Sequence, residues 1–440
     1  MNSPSFVMSL QEVATAVNGQ LKGEDRIVHG VSTDSRSTEK QNLFVALSGP
    51  NFDGHNFVTT AIEQGAVAVI VDREMERACS LVIVKDTRIA LGQLANAWRK
   101  KFVFPLIAVT GSNGKTTVKE MLTAILSVKH PVLATQGNLN NDIGVPLTLF
   151  RLSEQHEFAV IEMGANHAGE IAYLTDIAKP DVAIITNAGP AHLEGFGSLE
   201  GVAKAKGEIY GGLSETGTAI INADDRFNPV WREYCADHKI LTFALENDAD
   251  ITASWSVDDK GSLINAKTPA GEVSIHLSLL GRHNVMNALA AIAGTLAAGV
   301  TLAEIKVGLE SLQPVRGRLQ IKSGLNGSRV IDDTYNANPA SLNAALDVLG
   351  DFAGRHFLAL GDMGELGENT EQLHHEAGIQ ARKTGVDKLF AFGELAQHAV
   401  QGFGDKAKSF SDQPAMINAI SGEMNADVTL LVKGSRLMHM

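Results

Sequence analysis

Glycine, lysine and hydroxyl side chains crowd together within residues 106–126, which read LIAVTGSNGKTTVKEMLTAIL. An apolar run at 106–110 enters Gly111, Ser112, Asn113, Gly114, Lys115, Thr116 and Thr117. Val118, Met121, Leu122 and Ile125 then recur at i, i+3, i+4 and i+7, which predicts a helix with one buried face. Strand, glycine turn and helix start in that order make a cradle for phosphate. Glycine lets the backbone approach an anion, the first helical N–H groups point at it, and a lysine reaches the terminal phosphates. The Thr116 hydroxyl is then placed to ligate Mg²⁺. Val109 stands where the general GxxxxGK[ST] pattern has its first glycine. A helix start that merely uses glycine is the plainer alternative; the strand before and the amphipathic helix after argue for ATP or GTP.

Such sites usually take a second metal contact from an acid at the end of a neighbouring strand. Residues 158–162, FAVIE, offer Glu162 after an apolar run; a carboxylate capping a surface strand is the competing reading. Further on, TNAGPAH at 186–192 carries His192, and AKAKGE at 203–208 carries Lys204 and Lys206. Taken alone, these read as a loop histidine and a solvated helix face.

The elements that position these groups alternate between strand-like and helix-like over most of the chain, which predicts α/β architecture with parallel sheets. At 440 residues the chain exceeds one hydrophobic core. Three consecutive α/β domains are expected: 1–104, then 105–317 with a P-loop sheet, then 318–440, Rossmann-like. The first shows a helical pattern at 9–17, strands at 43–47, 67–71 and 81–84, and helices at 58–64 and 87–101. The second has strands at 106–110, 158–162, 182–186 and 218–222. The third has strands at 329–332, 357–360, 388–392 and 428–432, after which a closing helix is expected.

Composition excludes several classes. A net charge of −13 with no long basic run argues against nucleic-acid binding. Cys79 and Cys235 are the only cysteines and form no CxxC pair, so neither a disulfide framework nor a zinc site is expected. Residues 288–300 are the most membrane-like, but Gly294, Thr295 and Gly299 interrupt them. They fall short of the roughly 20 apolar residues of a spanning helix. The opening residues lack a signal-peptide pattern. A cytoplasmic protein without membrane insertion is the expectation, and a monomer the default.

Together, the GxxGKTT loop, Glu162, His192 and the Lys206 segment resemble the Mur ligases and the related folylpolyglutamate synthases. The likeness runs over essentially the whole chain. It extends to GNLNNDIGVP at 137–146, EMGAN at 162–166, DDTYNANP at 332–339 and LGDMGELG at 360–367. The resemblance implies an ATP-dependent ligase that adds D-alanyl-D-alanine to a UDP-N-acetylmuramoyl tripeptide through an acyl phosphate, the last two segments being the most discriminating. It implies that Lys115 contacts ATP phosphates, that Thr116 and Glu162 hold one Mg²⁺, and that His192 and a carbamylated Lys206 hold a second. Asn287 would meet the adenine, Asn284 the adjoining nucleotide pocket, Arg318 the γ-phosphate and Asp333 the ribose. Ser35 and Arg36, with the Asp53-Gly54-His55 turn, would grip the UDP end, and Asn138 and Asn141 the substrate. Without the likeness, Asn284 and Asn287 read as helix-start residues, and Ser35 and Arg36 as a surface turn.

Two rivals stay open: a single-amino-acid-adding or folate-directed ligase of the same superfamily, and a P-loop switch whose nucleotide only sets conformation. Whether the tripeptide ends in lysine or diaminopimelate is not legible.

Overall fold

The computed structural model describes residues 6–49, 52–76, 79–189, 193–235, 238–258, 260–313, 317, 319–364, 366 and 369–440. His192 and Arg318 lie outside the described residues. The chain divides into two compact units: residues 1–252, 267–271 and 287–308, and residues 253–266, 272–286 and 309–440.

In the first unit strand Val7–Ser9 leads into helix Leu10–Ala16, started by a reciprocal cap: the Glu12 N–H donates to the Ser9 hydroxyl at 3.2 Å, and the Ser9 N–H to the Glu12 carboxylate at 2.8 Å. A five-stranded sheet follows, in the order Gln20–Lys22, Ser80–Ile83, Ala68–Val71, Leu43–Val45, Val31–Ser32. Only its first pair is antiparallel. Helix Thr87–Arg99 closes this part; its N-cap, Asp86, accepts from the Arg88 and Ile89 N–H groups.

The same unit then builds a parallel sheet ordered Val132–Ala134, Phe158–Glu162, Leu106–Thr110, Val182–Ile185, Thr218–Asn222, Lys239–Ala244. Strands Leu106–Thr110, Phe158–Glu162 and Thr218–Asn222 are buried at every residue. That is the mark of a parallel sheet covered on both faces, and it explains their near-continuous apolar runs. Leu106–Thr110 lies between Phe158–Glu162 and Val182–Ile185. The loop at 111–114, Glu162 and Thr186 therefore emerge together at the carboxyl edge, where open α/β sheets bind ligands.

The second unit carries a six-stranded sheet ordered Gln320–Ser323, Arg329–Asp333, Val428–Lys433, Arg355–Gly361, Lys388–Phe392, Ala407–Phe410. Only its first pair is antiparallel. Leu342, Leu346, Leu349, Leu358, Leu360 and Leu431 meet in its core. Where a closing helix is expected, a single 3-10 turn, Arg436–Met438, follows the last strand. Strands Ile251–Asp258, Gly261–Thr268 and Gly271–Leu277 also depart from strict strand–helix alternation. Burial alternates along the second of them, the pattern of a strand with one face in water. No helix among the described residues is long and apolar enough to cross a membrane.

Candidate active site

Between strand Leu106–Thr110 and helix Lys115–Leu126 the backbone turns through two left-sided glycines, Gly111 at φ +152° and Gly114 at φ +81°. Both also sit hard against neighbouring side chains. A Cβ on Gly111 would lie 1.9 Å from the Thr186 hydroxyl, and one on Gly114 would lie 2.4 Å from the Asn287 carboxamide oxygen. Asn287 thus packs against the glycine loop itself.

The loop is pinned from the side by the segment after Val182–Ile185. The Ser112 N–H donates to the Asn187 carbonyl at 3.0 Å, and the Asn113 N–H to the Asn187 side chain at 3.0 Å. The Thr186 hydroxyl donates to the Asn113 carbonyl at 2.6 Å, and the Gly189 N–H to the Ser112 hydroxyl at 2.9 Å.

Lys115 folds back over the loop, its ammonium donating to the Gly111 carbonyl at 2.7 Å. Burial lowers its pKa, opposed by the nearby Glu162 carboxylate. Glu162 is buried, and both its oxygens are held. The Thr116 hydroxyl donates to one at 3.0 Å and the Asn140 amide to the other at 2.8 Å. The Glu162 N–H donates to the Thr135 hydroxyl at 3.0 Å. A carboxylate beside a hydroxyl is an oxygen-only donor set, suited to a small hard cation that takes its remaining ligands from phosphate and water. Among the described residues no group of three acidic, histidine or cysteine side chains is assembled to hold a metal alone.

Helix Leu199–Gly211 separates Lys204 from Lys206: the first is exposed, the second 3% exposed. The Lys206 ammonium is pushed down to about 8, by burial first and the Lys115 charge second. Lys115 and Lys206 line one cavity of about 760 Å³, with Arg88, Asn140, Asp142 and Tyr173 also in its wall.

Other expected residues fall elsewhere. Ser35 is buried, whereas Arg36 is exposed and forks onto Asp34, whose carboxyl it draws down to about 2. His55 is buried between Asp53, at 2.6 Å, and Asp72, at 3.1 Å. Asn138 and Asn141 are both exposed, and the Asn141 side chain accepts the Gly144 N–H at 2.8 Å. The asparagine that reaches Glu162 is Asn140, which sequence reasoning passed over; nothing in the run distinguishes it from its neighbours. In the second unit, Asn284 donates to the Leu280 carbonyl at 2.8 Å. Asp333 accepts the Leu319 N–H at 3.2 Å and pairs with the buried Lys433 ammonium.

Comparison with known proteins gives this arrangement a class. Models of the Mur ligase family, catalytic domain, of the Mur ligase middle domain, and of the Mur ligase, glutamate ligase domain match residues 27–99, 109–295 and 317–436. The chain belongs to the Mur ligase family, and its fold is that family's succession of α/β domains. Within the family the likeness narrows. The UDP-N-acetylmuramoyl-tripeptide--D-alanyl-D-alanine ligase of Escherichia coli K12 is 43% identical over 434 residues, 98% of this chain and 96% of the relative. A solved UDP-N-acetylmuramoylalanyl-D-glutamyl-2,6-diaminopimelate--D-alanyl-D-alanyl ligase from Acinetobacter baumannii is 39% identical, with a TM-score of 0.83 over 100% of this chain and 98% of its own. The MurF ligase of Thermotoga maritima, solved with ADP, is 30% identical, with a TM-score of 0.74 over 92% of this chain and 94% of its own.

Proposed function

We propose that this chain joins D-alanyl-D-alanine to the terminal carboxylate of a UDP-N-acetylmuramoyl tripeptide, using ATP, in cytoplasmic peptidoglycan precursor synthesis. The observation that carries the reading is the cavity lined both by Lys115, backed by the Thr116–Glu162 pair, and by the buried Lys206.

The chemistry must activate a carboxylate in water. The carboxylate oxygen takes the γ-phosphoryl group of ATP, giving an acyl phosphate and ADP. The dipeptide amine then attacks the acyl carbon, phosphate leaves, and the amine loses its proton. Both partners of the first step are anions, so neutralising charge is the main task. Lys115 answers it at the terminal phosphates, and the 111–117 backbone holds the nucleotide through Gly111, Ser112, Asn113, Gly114, Lys115, Thr116 and Thr117. Thr116 and Glu162 would hold Mg²⁺, which when bound neutralises phosphate charge. His192 and Lys206 would hold a second ion. Burial favours the neutral Lys206 amine, the form that adds carbon dioxide to become a carbamate, and so supports that role. Asn284, Asn287, Arg318 and Asp333 complete the nucleotide contacts. Ser35, Arg36, Asn138 and Asn141 serve the UDP-linked substrate. The boundaries 1–104, 105–317 and 318–440 divide these tasks. The partners are small molecules, without nucleic acid or membrane, and the chain acts as a monomer.

The test is phosphate release from ATP and Mg²⁺, with UDP-muramoyl tripeptide and D-alanyl-D-alanine added separately and together. Phosphate only with both, alongside a pentapeptide by mass, is the expected outcome. Release that ignores the UDP-sugar, or that requires a different amine, would remove the assignment.

A further inference from the structure

The wall of the 760 Å³ cavity also holds an ion pair that the reaction above does not use. The Arg88 guanidinium forks onto Asp142, with Nη2 donating to Oδ1 at 2.9 Å and Nε to Oδ2. The chain at or beside each is tied down by hydrogen bonds. The Arg88 N–H donates to Asp86 at 2.8 Å, and the Arg88 carbonyl accepts the Tyr173 hydroxyl at 3.5 Å. Asp142 follows Asn140 and Asn141, whose side chains engage Glu162 and the Gly144 N–H. The charged tips are different: 45% of the Arg88 side chain and 29% of the Asp142 side chain are exposed. Anchored stems with accessible tips suit exchange of partners.

A substrate can supply the exchange. In the proposed reaction the carboxylate that is activated belongs to the third residue of the tripeptide. That residue's side chain leaves the same α-carbon, so its far end stays within a few bonds of the reacting group. With the reacting group beside Lys115, the side chain must run along this same cavity. We propose that Arg88 and Asp142 read the far end of that side chain and select one bearing both an ammonium and a carboxylate, as in diaminopimelate, over lysine. The zwitterion inserts between them, its carboxylate on the Arg88 fork and its ammonium on Asp142. Four alternating charges then close a ring in which each keeps an opposite neighbour. A lysine end satisfies Asp142 but brings nothing for Arg88, so the guanidinium either keeps Asp142 from the substrate or loses its own partner. The Tyr173 phenol, pushed up to about 12 chiefly by burial, stays neutral beside them and adds no competing charge. This inference rests on the ligase reading above.

The experiment compares kcat/KM for three UDP-muramoyl tripeptides, ending in diaminopimelate, in diaminopimelate with its distal carboxyl amidated, and in lysine. The wild-type chain is expected to favour the first over both others by about tenfold or more, the scale of one charge-assisted bidentate pair. Arg88→Leu is expected to compress that preference to within about threefold, and Arg88→Lys, which keeps charge without the fork, to lie between. Equal use of all three substrates by the wild type would overturn the inference, a result that needs no variant. So would Arg88→Leu lowering all three by one common factor, as a purely structural staple would. Failure of the wild type with every tripeptide would overturn the ligase reading instead.

Discussion

A buried lysine chosen from each compact unit, Lys206 and Lys433, shows the cost of burial met in opposite ways. Lys433, 1% exposed at the end of strand Val428–Lys433, pairs with Asp333 and donates to the Asn336 carbonyl at 3.0 Å. Lys206, 3% exposed, has no hydrogen-bond partner among the described residues and faces the like charge of Lys115. An ammonium with a carboxylate is part of the framework. One with no partner among the described residues, beside another cation, sits where the neutral amine is favoured, which supports the proposed carbamate.

The sharpest way to break this comparison is to replace each lysine by methionine. Lys433→Met leaves Asp333 without its counter-charge, and calorimetry is expected to show a loss of about 3–5 kcal/mol. Lys206→Met removes a buried charge with no partner among the described residues, so its melting temperature is expected to hold or rise, while ligation falls by about a hundredfold. Equal destabilisation by both would erase the distinction.

A smaller effect concerns pH. The folded Lys206 binds its proton with a pKa of about 8, against roughly 10.4 for an unperturbed lysine. Between those values the unfolded chain holds the extra proton, so this group's contribution to folding stability rises with pH from about 8 to 10.4. Below about 8 its penalty is fully present. Chemically, the neutral amine grows over pH 7 to 9. Enzyme stripped of carbon dioxide is expected to recover activity on bicarbonate addition severalfold faster at pH 8.5 than at pH 7, corrected for dissolved carbon dioxide, and Lys206→Met not at all. The smallest effect belongs to the exposed Arg36–Asp34 fork. Arg36→Ala is expected to leave thermal unfolding unchanged and to raise KM for the UDP-linked substrate by about tenfold, measured at saturating ATP.

Much of the fold was legible because parallel strands buried on both faces write themselves as apolar runs. The strands at 106–110, 158–162, 218–222 and 388–392 stand where the residues indicate. The three strands between Ile251 and Leu277 were not, since their partly exposed faces leave only short alternations among polar residues. For the site, the loop and Glu162 were legible from a strand that ends in chemistry. The choice between Lys204 and Lys206 was not, because two residues two apart on a helix point different ways and only packing says which faces inward. Asn140 was hidden among like neighbours, and the Arg88–Asp142 pair joins residues 54 apart, a separation that no local pattern reports.

The pinning of the loop by Thr186, Asn187 and Gly189 also bears on time and order. Its backbone is cross-tied to a neighbouring strand end, so the loop has few alternative shapes to surrender when a nucleotide arrives. Binding then draws little on chain entropy, and the amides of Ser112 and Asn113, each hydrogen-bonded to Asn187, are expected to exchange slowly. The cradle is set before its occupant comes.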